Sequence, residues 1–567
     1  MRLGEILSRR GRVRPAEIEA ALTRHAGEGL RVGEALRAEG LATEQDILEA
    51  LAEQWALPFV AEVSDDLLDP SLITTVPVEW ARRTSILPVR WEGKPAALLD
   101  DPGKIGELDP LAVRLGVTLI PILAPGAAIR RAIERVYAQR TESAAELMAD
   151  LEATRTEPAV RAAAGATSSG AEDLLSAAEG APVTRLVNAI LLEAARSNAS
   201  DIHLEPFEDH LRLRFRVDGR LYDRPSPPKH LEDALISRLK VMAHLDIAER
   251  RLPQDGSARV RIGDQEMDIR VSTVPSAEGE RIVLRLLRRE SAARTLEDLG
   301  MRPAPAAAFR RLLTRPQGMV LVTGPTGSGK TTTLYAALRE LDTDRMNVMT
   351  IEDPIEYQLP SISQIQVHPR IGLTFARCLR HVLRQDPDVI LVGETRDAET
   401  AEIAVRAALT GHLVFTTLHT NDAASAPQRL MDMGVPPYLL ADALAGVLAQ
   451  RLVRRLCPHC REEAILGAAE AAPWGSAAER FVGRRHFRAR GCDRCREGYA
   501  GRIGIFELMT IEEKAAELIR AGARRDALRA CAAATGGLSL LEDGLARVLE
   551  GDTSLAELAR VIGLPGA

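Results

Sequence analysis

Hydrophobic positions in this chain recur with two periods, and the places where one gives way to the other divide it into segments. In the first 54 residues they fall at helical spacing inside a repeat. Adding 29 to a position finds its counterpart: Arg2 and Arg31, Gly4 and Gly33, Glu5 and Glu34, Leu7 and Leu36, Gly11 and Gly40, Ile18 and Ile47, Ala21 and Ala50, Leu22 and Leu51. Each unit predicts a short helix, a glycine break and a longer helix. From Leu57 to about Arg140 the pattern changes to short strands at Ser85–Val89, Ala96–Leu99 and Val117–Ile120, closed by a helix over Ala127–Ala138. Residues 141–180 are rich in Ala, Glu, Ser, Thr and Gly with little periodicity, which predicts a flexible linker. A helix follows at Thr184–Arg196, with strands at Leu211–Val217 and Arg281–Leu287. In the first of these strands, alternation puts Arg212, Arg214 and Arg216 on one face and Leu211, Leu213, Phe215 and Val217 on the other. Two later apolar runs, Met319–Thr323 and Val389–Val392, predict buried strands, and Thr331–Leu338 predicts a helix. A helical tail is expected from Ile511 to the end.

The residues joining Met319–Thr323 to its helix carry the most specific chemistry. In Gly324-Pro325-Thr326-Gly327-Ser328-Gly329-Lys330-Thr331-Thr332 the glycines let main-chain N–H groups wrap a phosphate chain, and the helix N-terminus adds partial positive charge. Lys330 can reach the outer phosphates, and the Thr331 hydroxyl can hold Mg²⁺. The segment predicts binding of a nucleoside triphosphate. Hydrolysis also needs a carboxylate at a neighbouring strand end. Glu394 closes the run from Val389, and Glu352 and Glu356 form a second acidic tip where Pro354 stops continuation. His412 and His419 frame a further apolar run, and either can hydrogen-bond a phosphate. A row such as Arg212, Arg214 and Arg216 is usually a solvated face; its guanidinium forks also suit phosphate oxygens, and an arginine supplied from outside the loop's own domain can stabilise transferred charge. Cys457-Pro-His-Cys460 and Cys492-Asp-Arg-Cys495 are two knuckles separated by 31 residues, whose four thiolates suit structural zinc better than a redox dithiol. Cys378 and Cys531 are isolated and expected to be buried.

Composition narrows the partners. A length of 567 residues predicts three to five domains, and 46% hydrophobic with 27% charged residues is ordinary for a globular chain. The net charge of −7, with no recognisable DNA-binding motif, disfavours a nucleic-acid motor. No apolar stretch approaches a membrane span, Leu439–Ala449 being short and interrupted by Asp442. Without the apolar core of a signal peptide at the N-terminus, a cytoplasmic location is expected.

Taken together, the motifs resemble the secretion (traffic) ATPases of type II secretion, the general secretion pathway protein E family, and of type IV pilus assembly. The segments that carry the resemblance are Ala199–Pro206, Arg214–Gly219, Arg251–Gly256, Arg270–Thr273, the glycine-rich loop, Thr350–Glu356, Arg384–Asp388 with Glu394, Leu409–His412 and Thr417–Thr420. The resemblance implies a multidomain α/β architecture. Residues 1–140 would be an N-terminal domain, with the helical repeat over 1–56 and a small α/β part after it, followed by the linker. Residues 181–292 would be a PAS-like α/β domain, 293–455 a RecA-like ATPase core, 456–500 a tetracysteine zinc subdomain and 501–567 a helical C-terminal domain. It further implies that Glu394 is the Walker B acid and that Glu352 and Glu356 belong to an aspartate box. His412 and His419 would form a histidine box sensing the γ-phosphate, and Arg214, Arg216 and Arg270 would reach nucleotide phosphate in a closed state. The implied assembly is a homo-hexamer, peripherally attached to the inner membrane through the cytoplasmic domain of a platform protein. Its ATP hydrolysis would drive pseudopilus assembly and protein export, with pilus extension as the alternative and a regulatory module without turnover as a third reading. The repeat resembles a domain that binds cyclic di-GMP, with Arg2 and Arg31 on the ligand and the glycines permitting close approach. A helical docking module for a membrane-anchored partner is the competing expectation. Thr395 departs from the apolar residue usual after the acid.

Overall fold

The computed structural model describes residues 2–25, 30–73, 76–140, 144–145, 147–148, 172–173, 182–262, 265–288 and 294–564. They form two compact units, Met1–Arg288 and Arg289–Ala567.

In the first unit the repeat folds as helices Leu3–Arg9, Pro15–Arg24, Val32–Ala38 and Glu44–Trp55. Gly11 and Gly40, with φ of 69° and 66°, make the breaks. The other repeated glycines pack helices: a Cβ on Gly33 would lie 2.9 Å from Ile47 Cγ2, and one on Gly4 3.4 Å from Ile18 Cδ1. Arg2 and Arg31 stand at the starts of the two short helices, where their N–H groups donate to Glu5 (2.9 Å) and Glu34 (2.8 Å). The small α/β part is a three-stranded sheet, Ile86–Trp91, Lys94–Leu99 and Ile120–Leu123, backed by the helix Gly126–Arg140. The third strand begins three residues later than its apolar pattern suggested.

A second core lies under a sheet ordered Glu172–Asp173, Gln254–Ile262, Gln265–Ser276, Gly279–Arg288, Ala199–Pro206, Leu211–Val217, Arg220–Arg224. Leu211, Leu213, Phe215 and Val217 are buried on one face against the helix Pro182–Arg196, as alternation requires. Most of the expected linker at 141–180 lies outside the described residues. Ala144, Leu147 and Met148 do not behave as linker: they are helical and buried in this core.

The second unit is built on a seven-stranded sheet ordered Ser363–Gln366, Val348–Glu352, Val389–Val392, Leu413–Leu418, Gly318–Thr323, Leu444–Leu456, Tyr499–Thr510. The first six are parallel and the last runs antiparallel to Leu444–Leu456. The central strands are buried along their whole length, so they read as continuous apolar runs. The expected domain edges at 455/456 and 500/501 do not divide this unit. One strand crosses the first edge, and the supposed helical C-terminal domain begins as a strand that completes the sheet; helices follow only from Glu513. The same core continues from Met319 to Leu558. Residues 461–491, for which the resemblance implied nothing, contain a small two-stranded sheet, Glu462–Ile465 with Arg485–Arg488.

Candidate functional site: a phosphate cradle at the carboxyl edge of a parallel sheet

Parallel pairing brings the carboxyl ends of four strands to one edge. Thr323 lies opposite Leu418, Val392 opposite Thr416, and Ile351 opposite Val392. The glycine-rich loop, Glu352, Glu394 and His419 therefore emerge side by side, where ligands of such sheets bind. Gly329, at φ 87°, starts the helix Lys330–Leu338 in a conformation a side chain would disfavour. A Cβ on Gly324 would sit 2.6 Å from both Gln450 O and Ser328 Oγ, so only glycine fits there.

Lys330 Nζ donates to Gly324 O (2.8 Å) and Pro325 O (3.1 Å), folding its amine back over the loop. Burial lowers its pKa to about 8, against the opposing attraction of Glu394. Ser328 Oγ is buried without a partner, an orphaned donor in a loop suited to phosphate. Thr331 and Thr332 are half-buried in the first helical turn.

Gly393 passes close under the neighbouring strand, its N–H donating to Ile351 O at 2.8 Å. Glu394 then turns outward and pairs with Arg396 at 2.5 Å. Thr395 is buried, and its hydroxyl pairs with that of Thr416 at 2.8 Å, which accounts for a polar residue at a packed position. His419 shares the pocket with Lys330 and Glu394. Burial first, and then the Lys330 charge, lower its pKa, favouring neutral imidazole.

His412 lies elsewhere. It precedes the strand whose far end carries His419, and its Nδ1 meets Ala407 O at 3.0 Å. The expectation of one histidine box is thus corrected within a single chain: the strand between them holds the two rings at opposite edges of the sheet.

Glu352 is buried and its carboxylate is already engaged. Oε1 accepts from Thr350 Oγ1 (2.6 Å) and Gln364 Nε2 (3.1 Å), and Oε2 accepts from the Tyr335 hydroxyl. Burial, then the Glu352 charge, raise the Tyr335 pKa, while the main chain of Glu356 also bonds that hydroxyl. Glu356 itself is half-buried beyond the strand end. Tyr335 and Gln364 had no sequence motif to mark them, because their role depends on which strands are neighbours.

The candidate arginines belong to the first unit. Arg214 Nη2 donates to Glu205 (2.7 Å), Arg216 lies 3.7 Å from Asp201 and bonds Gly219 O (3.0 Å), and Arg270 faces Arg285 in the strand register. Arg281 and Arg285 share the same two carboxylates, giving one polar face with four arginines to two acids.

The four knuckle cysteines converge. Cys457 and Cys492 Sγ are 3.9 Å apart, Cys460 and Cys495 3.6 Å, and all four lie within 4.8 Å of one another. Four thiolates around zinc at about 2.3 Å are separated by about 3.8 Å, so this donor set fits tetrahedral Zn²⁺. Cys378 and Cys531 are buried in the core. Arg31 pairs with Asp101 at 3.2 Å while staying largely exposed. The repeat glycines Gly4 and Gly33 let the isoleucines of the longer helices pack closely.

Among the described residues no helix is long and apolar enough to cross a membrane. Residues 176–560 match the family described as Type II/IV secretion system protein, and residues 55–143 match the MshEN domain, beyond the repeat. The Type II secretion system protein HxcR of Pseudomonas aeruginosa is 55% identical over 390 residues, covering 69% of this chain and 79% of that one. The Type IV pilus assembly ATPase PilB of Myxococcus xanthus is 41% identical over 571 residues, covering 98% of each chain. Among solved structures, the ATPase DotB of Yersinia pseudotuberculosis has a TM-score of 0.50 at 20% identity, over 67% of this chain and 93% of that one, a likeness of fold alone.

Proposed function

This chain belongs to the Type II/IV secretion system protein family and is an ATP hydrolase, and from that premise we propose that it drives pseudopilus assembly and protein export by type II secretion. The carrying observation is the convergence of Lys330, Glu394 and His419 beside the 324–331 loop. In this reading Lys330, Ser328 and the loop N–H groups hold the phosphates of ATP, and Thr331 holds Mg²⁺. Glu394 orients the attacking water, and His419 meets the outermost phosphate. Mg²⁺ when bound would neutralise charge on the phosphates. Glu352 supports the edge from behind, through Tyr335 and Gln364, more than it meets water.

The larger assembly is part of the same proposal. Six copies form a ring at the cytoplasmic side of the inner membrane, held by a platform protein. Arg214 and Arg216 of the first unit exchange Glu205 and Asp201 for nucleotide phosphate, with Arg270 beside them, as one unit moves on the other. The four knuckle cysteines hold one Zn²⁺. PAS-like and RecA-like describe the two sheet domains in this reading.

One observation favours pilus extension as the second reading: the pilus relative aligns with 98% of this chain, against 69% for the secretion relative. The test of the site is Glu394→Gln. It is expected to keep ATP binding and lose at least ~100-fold in phosphate release. Unchanged turnover would remove Glu394 from the mechanism. Flanking genes for pseudopilins and a secretin, against a major pilin and a retraction ATPase, separate the two readings.

A further inference from the structure

Two arginines are buried among the described residues, Arg451 and Arg454, both on the strand Leu444–Leu456. Arg454 has two carboxylates, Glu557 at 2.9 Å and Glu497 at 3.1 Å. Arg451 has no carboxylate within ion-pair distance among the described residues. Its guanidinium donates to two main-chain carbonyls, Gln450 O (3.1 Å) and Asn421 O (2.8 Å), and more weakly to Asn421 Oδ1 (3.4 Å). The nearby acids are committed elsewhere. Asp422 accepts from Ser425 and pairs with Arg525 (3.0 Å) and Arg529 (2.8 Å). Glu507 accepts from the N–H groups of Ala423 and Leu540, and burial raises its pKa toward the neutral acid.

Arg451 feels Asp422 and Glu507 only through space, and its location follows from register. Thr323 pairs in parallel with Ala449, so Gln450 and Arg451 lie alongside Gly324, where the phosphate loop begins. Arg451 Nη1 is 3.2 Å from the position a Cβ of Gly324 would take. Gln450, itself 2% exposed, donates from Nε2 to Ser328 O at 2.7 Å. On the other side, Asn421 follows Thr420, whose N–H donates to Thr323 Oγ1 at 2.9 Å. Arg451 thus holds the Asn421 loop to the strand end behind Gly324, and its neighbour Gln450 holds the phosphate loop to the same strand end. A buried guanidinium with no carboxylate in contact is costly, and an anion placed beside it recovers part of that cost.

We propose that Arg451 is a positioning residue for the triphosphate: it acts from behind Gly324, on the strand end that Gln450 joins to the loop, and contributes a second positive charge that the phosphate chain balances. This rests on the ATP-hydrolase reading of the same loop.

The test uses the full chain as wild type, Arg451→Gln and Arg451→Lys. Calorimetric titration with Mg-ATP is paired with titration with uncharged adenosine. Arg451→Gln is expected to bind ATP ~10-fold or more weakly, with adenosine unaffected. Arg451→Lys should stay within ~3-fold of wild type for ATP, because it keeps the charge. Equal ATP affinity in Arg451→Gln overturns the proposal. A loss in Arg451→Lys as large as in Arg451→Gln also overturns it, since that is a geometric brace alone. Should Arg451→Gln not fold, the lysine variant decides: near-wild-type ATP affinity supports the charge role, and a ~10-fold loss refutes it. Wild-type protein that fails to bind ATP would instead sink the ATP-hydrolase reading.

Discussion

Lys330 illustrates how burial sets a residue's chemistry. Its amine donates to two loop carbonyls, and burial lowers its pKa to about 8. Triphosphate would restore the charge, so ATP binding above pH ~8 should take up a proton and weaken as pH rises. Calorimetry in two buffers of different ionisation enthalpy measures that uptake, and none at pH 9 would contradict the low pKa. The Glu352 cluster makes a separate prediction. Tyr335→Phe removes one donor from a buried carboxylate and should destabilise the protein by about 1–3 kcal/mol, read from denaturant unfolding. A motif scan finds Lys330, Glu352 and Glu394, because loop chemistry and strand-end acids are local features. It cannot find Tyr335, Gln364 or Arg451, which matter only once strands distant in sequence are adjacent.

At the scale of elements, the long strand Leu444–Leu456 connects several functions. Gln450 and Arg451 meet the phosphate loop, Arg454 meets the last helix, and the strand runs directly into Cys457. Glu557, on the helix Leu555–Ile562, is fully buried and accepts from Arg454 N and Nε and from Arg560. Burial works to raise its pKa, yet the hydrogen bonds of Arg560 and Arg454 outweigh this and hold it below the usual range. A depressed folded-state pKa contributes stability above the unfolded value of about 4.3, lost as pH falls through the lower folded value. Glu557→Ala leaves Arg454 buried with only Glu497 and should cost about 3–5 kcal/mol near neutral pH. Its stability deficit should shrink on acidification below pH ~4, which unfolding midpoints across pH would reveal. The knuckles close the same strand pair, since Cys457 N donates to Gly498 O at 2.8 Å. Purified protein is expected to carry about one zinc per chain, and chelation should lower its thermal midpoint. A metal-free preparation with an unchanged midpoint would count against the site.

At the scale of the whole molecule, the arginine face of the first unit and the phosphate cradle of the second belong to separate compact bodies. If motion brings them together, Arg214→Ala or Arg270→Ala should leave ATP affinity within ~3-fold while lowering turnover by at least ~10-fold. Equal losses in binding and turnover would argue for a static role. The repeat is a further test. Arg31 is exposed and already paired with Asp101, and the match to the MshEN domain starts after the repeat. Titration with cyclic di-GMP, with Arg31→Ala as control, should give saturable heat in wild type alone, and silence in both would leave the docking role.

The local code was complete in the sequence wherever a few adjacent residues suffice: the glycine-rich loop, the cysteine knuckles, the alternating Leu211–Val217 strand and the repeated helices. Strand order decided the rest. It separated His412 from His419, turned residues 501–510 from the start of an expected helical domain into part of the last strand of the sheet, and set Arg451 behind Gly324. The physical reason is range. Backbone conformation and side-chain periodicity act over a few residues, whereas a buried charge acquires its meaning from neighbours that only the packed sheet supplies.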